Sequence, residues 1–193
     1  MTRGLPQDGQ RVPVLNWVVQ SRQRLGIGGQ IPQGTLSEYK STDPMAMTDA
    51  HQNFAGATLA LFVGDKLVLL HRDDKPGLLW PGYWDMPGGG REGAETPLDT
   101  ALRETFEEFT LRIPPSFVHW GRAYTDSIGR TVWFFVGWIP GSSQSDIRLG
   151  DEGQGWALMS EPEFLSHPKA VPQFKARLLD YQRGVAPSAN FKC

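Results

Sequence analysis

Gly89-Gly90-Arg91-Glu92-Gly93-Ala94-Glu95-Thr96-Pro97-Leu98-Asp99-Thr100-Ala101-Leu102-Arg103-Glu104-Thr105-Phe106-Glu107-Glu108 is a glycine loop running into a helix that carries three carboxylates. Thr96 followed by Pro97 is a helix start: the threonine hydroxyl caps free backbone N–H groups, and proline suits the first helical position. Asp99, three residues on, completes a capping-box spacing and places negative charge at the positive end of the helix dipole. Leu98, Ala101, Leu102, Phe106 and Phe109 recur with helical period and form an apolar stripe. Glu104, Glu107 and Glu108 stand at i, i+3 and i+4, within roughly 100° of arc and nearly opposite that stripe. Like charges at this spacing repel by roughly 0.2–0.5 kcal/mol per pair. A hard divalent cation, Mg²⁺ or Mn²⁺, turns that repulsion into binding, because such ions prefer carboxylate oxygen.

An acidic triplet alone is more often a solvated face. The glycine approach, the capped start, Glu95 and Arg103 change the balance. Together they resemble the Nudix box, G-x5-E-x7-R-E-U-x-E-E-x-G-U, where U is a bulky aliphatic residue. Gly89 opens the pattern, Glu95 follows after five residues, and Arg103 with Glu104 after seven more. Glu107 and Glu108 close the acidic set, and Leu111 takes the last apolar position. Two positions depart. Thr105 replaces an aliphatic residue, and Thr110 stands where a glycine would take a left-handed conformation to end the helix. A β-branched residue does that only with strain, so the helix is expected to end differently here.

The resemblance implies a fold and a set of roles. The fold is an α+β or α/β sandwich, a mixed β-sheet between helices. The metal ligands are Glu104, Glu107 and Glu108, the Gly88 carbonyl, and a further carboxylate from the loop at 151–156, for which Glu152 is preferred. Glu104, Glu107 and Arg103 form the catalytic group. Glu104 is the first choice for the base that takes a proton from water. Arg103 acts through a brace with neighbouring acids, in which Glu95 and Gly89 hold the loop to the helix. Arg72, Trp84, Arg91 and Trp133 are expected to bind substrate.

The activity implied is metal-dependent hydrolysis of a nucleoside diphosphate linked to another group. The phrase Trp84-Asp85-Met86-Pro87-Gly88-Gly89-Gly90, with Glu152-Gly153-Gln154 downstream, looks similar to the branch that hydrolyses nucleoside triphosphates, modified ones included. ADP-ribose or another nucleotide sugar is the runner-up substrate. A nucleotide-sensing Nudix domain without catalysis is the competing class, although such domains usually lose box carboxylates that this chain keeps. An isomerase on the same fold would need further acid–base residues.

The rest of the chain supports one domain with an extension. Of its 193 residues 39% are hydrophobic, and no apolar run approaches a membrane span. A net charge of −2 provides no broad basic face for duplex nucleic acid. The partner expected is a small nucleotide, and a homodimer is left open. Cys193 is the single cysteine, and the N-terminus, apolar only in patches over Val12 to Val19, lacks a signal-peptide layout, so the expected location is cytoplasmic.

Residues 1–53 read as a partly irregular extension with one apolar patch, Val14–Val19. Residues 54–184 read as the Nudix domain, and 185–193 as a tail, loose from 187. Strands are expected at 57–63, 66–71 (joined by a Gly64-Asp65 turn), 84–86, 117–124, 131–139 and 155–159. Short and long helices are expected after Ser160 and over 171–183, the latter ending at Gly184. His71, His119 and His167 show no metal-ligand spacing and read as structural.

Overall fold

Strand β1, Gly56–Val63, is buried at every position, and its sequence GATLALFV has no polar face to offer solvent. Only a strand covered on both sides can read this way. The chain builds that cover in the computed structural model, which describes residues 51–188 and 191. The Val14–Val19 patch and the rest of 1–50 lie outside the described residues.

The remaining strands are β2 (Lys66–His71), β3 (Trp84–Asp85), β4 (Gly88–Gly90), β5 (Val118–Thr125), β6 (Thr131–Ile139) and β7 (Gly155–Ser160). They form a seven-stranded sheet in the order β3-β2-β1-β6-β5, with β4 also paired to β1 and β7 to β2. The β1–β6 pair is parallel and the others antiparallel, so the sheet is mixed as expected. Helices are α1 (Pro97–Phe109), α2 (Glu161–Ser166) and α3 (Pro172–Gln182). Among the described residues no helix is long and apolar enough to cross a membrane.

Strand alternation sorts the core into two layers. Ala57, Leu59, Leu61 and Val63 of β1 and Trp133 and Phe135 of β6 pack with Ala101 and Phe109 of α1. Ala60 and Phe62, with Phe134 and Val136, pack on the other face against Phe164, Phe174 and Leu178 of α2 and α3. The result is an α+β sandwich.

Two differences from the sequence reading concern glycine and the tail. Gly88–Gly90, read as loop, is a strand pairing with Gly56–Thr58. A Cβ on Gly56 would lie 2.3 Å from the Gly89 carbonyl oxygen, so this close pairing exists because side chains are missing there. The tail is docked where it is described. Ser188 donates its N–H to Gly121 O (2.9 Å) and accepts from Ala123 N–H (3.0 Å), and the Phe191 ring lies 5.7 Å from that of Phe135. The signal missed was Gly121, whose bare Cα makes room for Phe191.

Candidate active site

Helix α1 starts as its sequence dictates. Thr96 Oγ1 accepts from Asp99 N–H (3.2 Å), and Asp99 Oδ2 accepts from Thr96 N–H (3.1 Å), with Pro97 in the first turn. Its end corrects the sequence reading. Thr110 itself takes the left-handed conformation, φ 56° and ψ 18°, and its N–H still bonds Phe106 O at 2.8 Å. Neighbouring backbone holds it there: Arg148 N–H bonds Phe109 O (3.1 Å) and Gly150 N–H bonds Glu108 O (2.8 Å), satisfying carbonyls that a helix end leaves free. The same docking brings the 148–152 loop against the helix, close enough that a Cβ on Gly150 would collide with Glu107 O.

The three box glutamates do not share one solvated face. The buried side of α1 runs through Ala101, Thr105, Glu108 and Phe109. Thr105 tolerates full burial because its hydroxyl donates to Ala101 O at 2.7 Å. Glu107 has a side chain 53% exposed, Glu104 16%, and Glu108 as a residue only 7%, so the acids step from solvent into the protein. Burial pushes the Glu108 carboxyl well above its ordinary range, and the charges of Asp85, Glu104 and Glu152 push it further. One of its oxygens, Oε2, has no hydrogen-bond partner. Glu104 is also raised, first by burial, with Glu107 and Glu152 adding to it against the opposing pull of Arg103. Glu152 therefore stands where its charge is felt by both box glutamates.

Arg103 ties the loop to the helix. Its Nε donates to Glu95 Oε1 (2.7 Å), Nη1 meets Glu104 Oε1 (3.0 Å) and Glu107 Oε2 (2.9 Å), and Nη2 donates to Gly90 O (2.8 Å). Glu95 also accepts from Glu92 N–H (3.0 Å) and Thr100 Oγ1 (2.8 Å). These donors, Arg103 first, lower its pKa to about 2, and the carboxylates of Glu95 and Glu104 in turn raise that of Arg103. Gly89 is the point of contact: a Cβ there would sit 2.3 Å from Glu104 Oε1.

On the other side of β4 lies a cleft of about 720 Å³. Its walls include Thr58, Arg72, Asp85, the three glycines of β4, the 125–128 turn, and Phe174 and Arg177 of α3. Arg72 Nη1 donates to Asp85 Oδ2 at 2.6 Å, while Arg72 Nε is buried without a partner. Burial raises Asp85 despite this arginine. β4 is thus a thin glycine partition, with the box carboxylates on one side and the cleft, walled in part by Asp85, on the other.

A family model for the NUDIX domain matches residues 53–182. The chain belongs to the Nudix family. An uncharacterized Nudix hydrolase of Pseudomonas aeruginosa is 30% identical over 119 residues, 61% of this chain and 69% of that protein. The structure of a MutT protein from Methanosarcina mazei aligns with a TM-score of 0.55 at 18% identity, over 69% of this chain and 96% of the other. A Caenorhabditis elegans Ap4A hydrolase, solved as a binary complex, aligns at 0.53 and 18%, over 67% and 96%. At such identities the two structures speak for the fold. By family and relative, the protein is a Nudix-type pyrophosphohydrolase acting on phosphorus anhydrides.

With the Nudix assignment made, the expected residues divide. The box residues, Glu95 and Gly89 come together, with Gly88 contacting Glu108 through its backbone. Arg72 lines the cleft. Trp133 is placed away from the cleft: it is 1% exposed, and as an odd-numbered residue of β6 it faces the α1 layer, stacked on Phe135. Trp84 is not among the residues that line the cleft beside its neighbour Asp85, and stacks on His71 at 4.6 Å. Arg91 is used structurally, over the Phe54 ring (4.8 Å) and donating to the Gln52 carbonyl. Asp85 and Arg177 were missed. Arg177 had a legible signal: it interrupts the apolar stripe Phe174, Leu178, Tyr181 of α3 with a charge.

Nudix enzymes generally use divalent cations. Among the described residues, no three His, Cys, Asp or Glu side chains stand in ligating geometry, and Arg103 draws Glu104 and Glu107 towards itself. The donor set nevertheless fits such an ion. Carboxylates that raise one another's pKa, with a buried Glu108 oxygen lacking any partner, are what a hard cation relieves.

Proposed function

We propose that the protein hydrolyses the diphosphate of a nucleoside triphosphate, modified ones included. The reading rests on one observation: Glu104 and Glu108, which feel the charge of Glu152, abut the glycine strand β4, and the same strand lines a cleft of nucleoside size. Mg²⁺ or Mn²⁺ bound by Glu104, Glu107, Glu108, Glu152 and the Gly88 carbonyl would neutralise phosphate oxygens and lower the pKa of water.

The chain's own groups do the rest. Gly88–Gly90 carry no side chains of their own, so a phosphate chain can approach the backbone of the strand. Arg103 orients Glu104 and Glu107, and Glu104, its carboxyl raised by burial, takes the proton from the attacking water. In the cleft, Asp85 fixes Arg72 Nη1, which aims the exposed part of the guanidinium at the substrate. Phe174 and Trp80 form apolar walls beside the nucleoside.

The test is product formation, separated by chromatography, with Mg²⁺: nucleoside monophosphate and pyrophosphate from ordinary and oxidised-guanine nucleoside triphosphates, AMP and ribose 5-phosphate from ADP-ribose, and ATP and AMP from Ap4A. Triphosphates should lead in kcat/KM by tenfold or more. A lead for ADP-ribose would transfer the site to the nucleotide-sugar reading. No turnover at all, with metal and nucleotide binding intact, would make the domain a sensor.

A further inference from the structure

Arg177 is 8% exposed and lines the cleft from α3. Among the described residues it makes no hydrogen bond or ion pair; its neighbours are the rings of Tyr124 (5.0 Å) and Phe174 (5.4 Å). A guanidinium desolvated this far normally has a carboxylate against it. The acids nearby are already engaged. Asp85 holds Arg72 at 2.6 Å. Asp126 holds Arg130 Nε at 2.8 Å and accepts from the N–H groups of Ile128 (3.0 Å) and Arg130 (2.9 Å). Asp180, one turn along α3, accepts from the Tyr124 hydroxyl at 3.2 Å. The cleft is lined by Arg72, Arg130 and Arg177 against Asp85 and Asp126, and Arg177 feels Asp126 only at a distance, with no acid in ion-pair contact among the described residues.

The geometry points to Arg177 as a receptor for a second anionic group on the substrate, a phosphate or carboxylate carried by the part that lies beyond the diphosphate. A neutral base edge would satisfy the N–H donors but leave the charge desolvated. An anion satisfies both, and the guanidinium fork matches either oxyanion. The flanking rings fix the fork before the ligand arrives, so little ordering is lost on binding. The inference rests on the proposed diphosphate hydrolysis and goes beyond the triphosphate reading, since it names a further anion that an ordinary nucleoside triphosphate does not carry on its nucleoside.

The experiment measures binding by calorimetry in EDTA, so that neither metal nor turnover enters. The phosphate arm compares adenosine 5′-monophosphate with adenosine 2′,5′-bisphosphate and 3′,5′-bisphosphate. The carboxylate arm compares UDP-glucose with UDP-glucuronate. The doubly anionic ligand of at least one arm should bind tenfold or more tightly than its partner, and the arm that shows it identifies the anion. In Arg177→Met the advantage should fall below threefold, and Arg177→Lys, which keeps charge but loses the fork, should restore part of it. Circular dichroism checks that the variants fold, and the lysine variant against wild type carries the test if the methionine variant does not. Equal affinities in both arms for the wild type, or an advantage that survives in a folded Arg177 variant, would overturn the inference. An inactive protein with an Arg177-dependent preference would sink the hydrolase reading instead, and an active one without it would sink only this proposal.

Discussion

Arg103 and Arg177 are both largely buried arginines on helices beside the glycine partition, and their surroundings are opposite. Arg103 meets Glu95, Glu104, Glu107 and the Gly90 carbonyl, all from within twenty residues of chain. Arg177 meets two aromatic rings, and its cleft is assembled from segments between residues 55 and 177. A cation saturated by its own chain holds a scaffold in place. One left unsaturated keeps its charge for a ligand. The carboxylates show the same division, with Glu95 saturated by donors and Glu108 left with an oxygen unpartnered.

The largest expected effect comes from the unsaturated side. Glu108→Gln should lower kcat on the order of 10³-fold, equivalent to several kcal/mol of lost charge stabilisation. It should also raise the stability of the metal-free protein by about 1 kcal/mol at neutral pH, because an unpaired buried carboxylate is removed. The sign follows from the raised folded-state pKa. Below the ordinary glutamate value of 4.5, Glu108 is protonated both folded and unfolded, and no penalty exists. As pH rises through the folded value the penalty becomes complete. Thermal unfolding in EDTA at the two ends should show a gain that vanishes in acid; a Tm unchanged at neutral pH breaks the contrast.

Arg103→Ala should cost about 2 kcal/mol of stability and about 10²-fold in kcat, since the saturated network both folds and aims the site. Glu95 gives this network the opposite pH sign. Its depressed folded value means that its stabilisation is present above 4.5 and is lost as pH falls towards about 2. Glu95→Gln should therefore remove an acid limb from the urea-unfolding profile, and a profile identical to wild type would count against the brace.

Two glycines sharpen the comparison further. An added Cβ at Gly89 meets the mobile end of Glu104, so Gly89→Ala should fold normally while kcat drops roughly tenfold through a displaced carboxylate. At Gly56 the obstacle is the Gly89 backbone, so Gly56→Ala should instead lose about 2 kcal/mol of stability. Reversal of that order in denaturation and kinetics would refute the partition. The smallest effect is Thr110→Gly, which relieves a left-handed β-branched residue and should gain about 0.5 kcal/mol with activity unaltered.

The sequence by itself determined the box, because its parts are close enough in the chain to constrain one another. The Thr96 cap, the Pro97 start and the spacing of Glu95, Arg103, Glu104, Glu107 and Glu108 all obey local helix geometry. The same locality made β6 and the Ser160 cap legible. Tertiary structure decided which face of each element is buried. It sank Glu108 beside β4, turned Trp133 into the core and Trp84 onto His71, held Thr110 left-handed through the 148–150 backbone, and closed the cleft around Arg177. Burial and charge compensation depend on residues a hundred positions apart. Helical period can mark a lone charge on an apolar stripe, but only the folded chain shows whether another residue neutralises it.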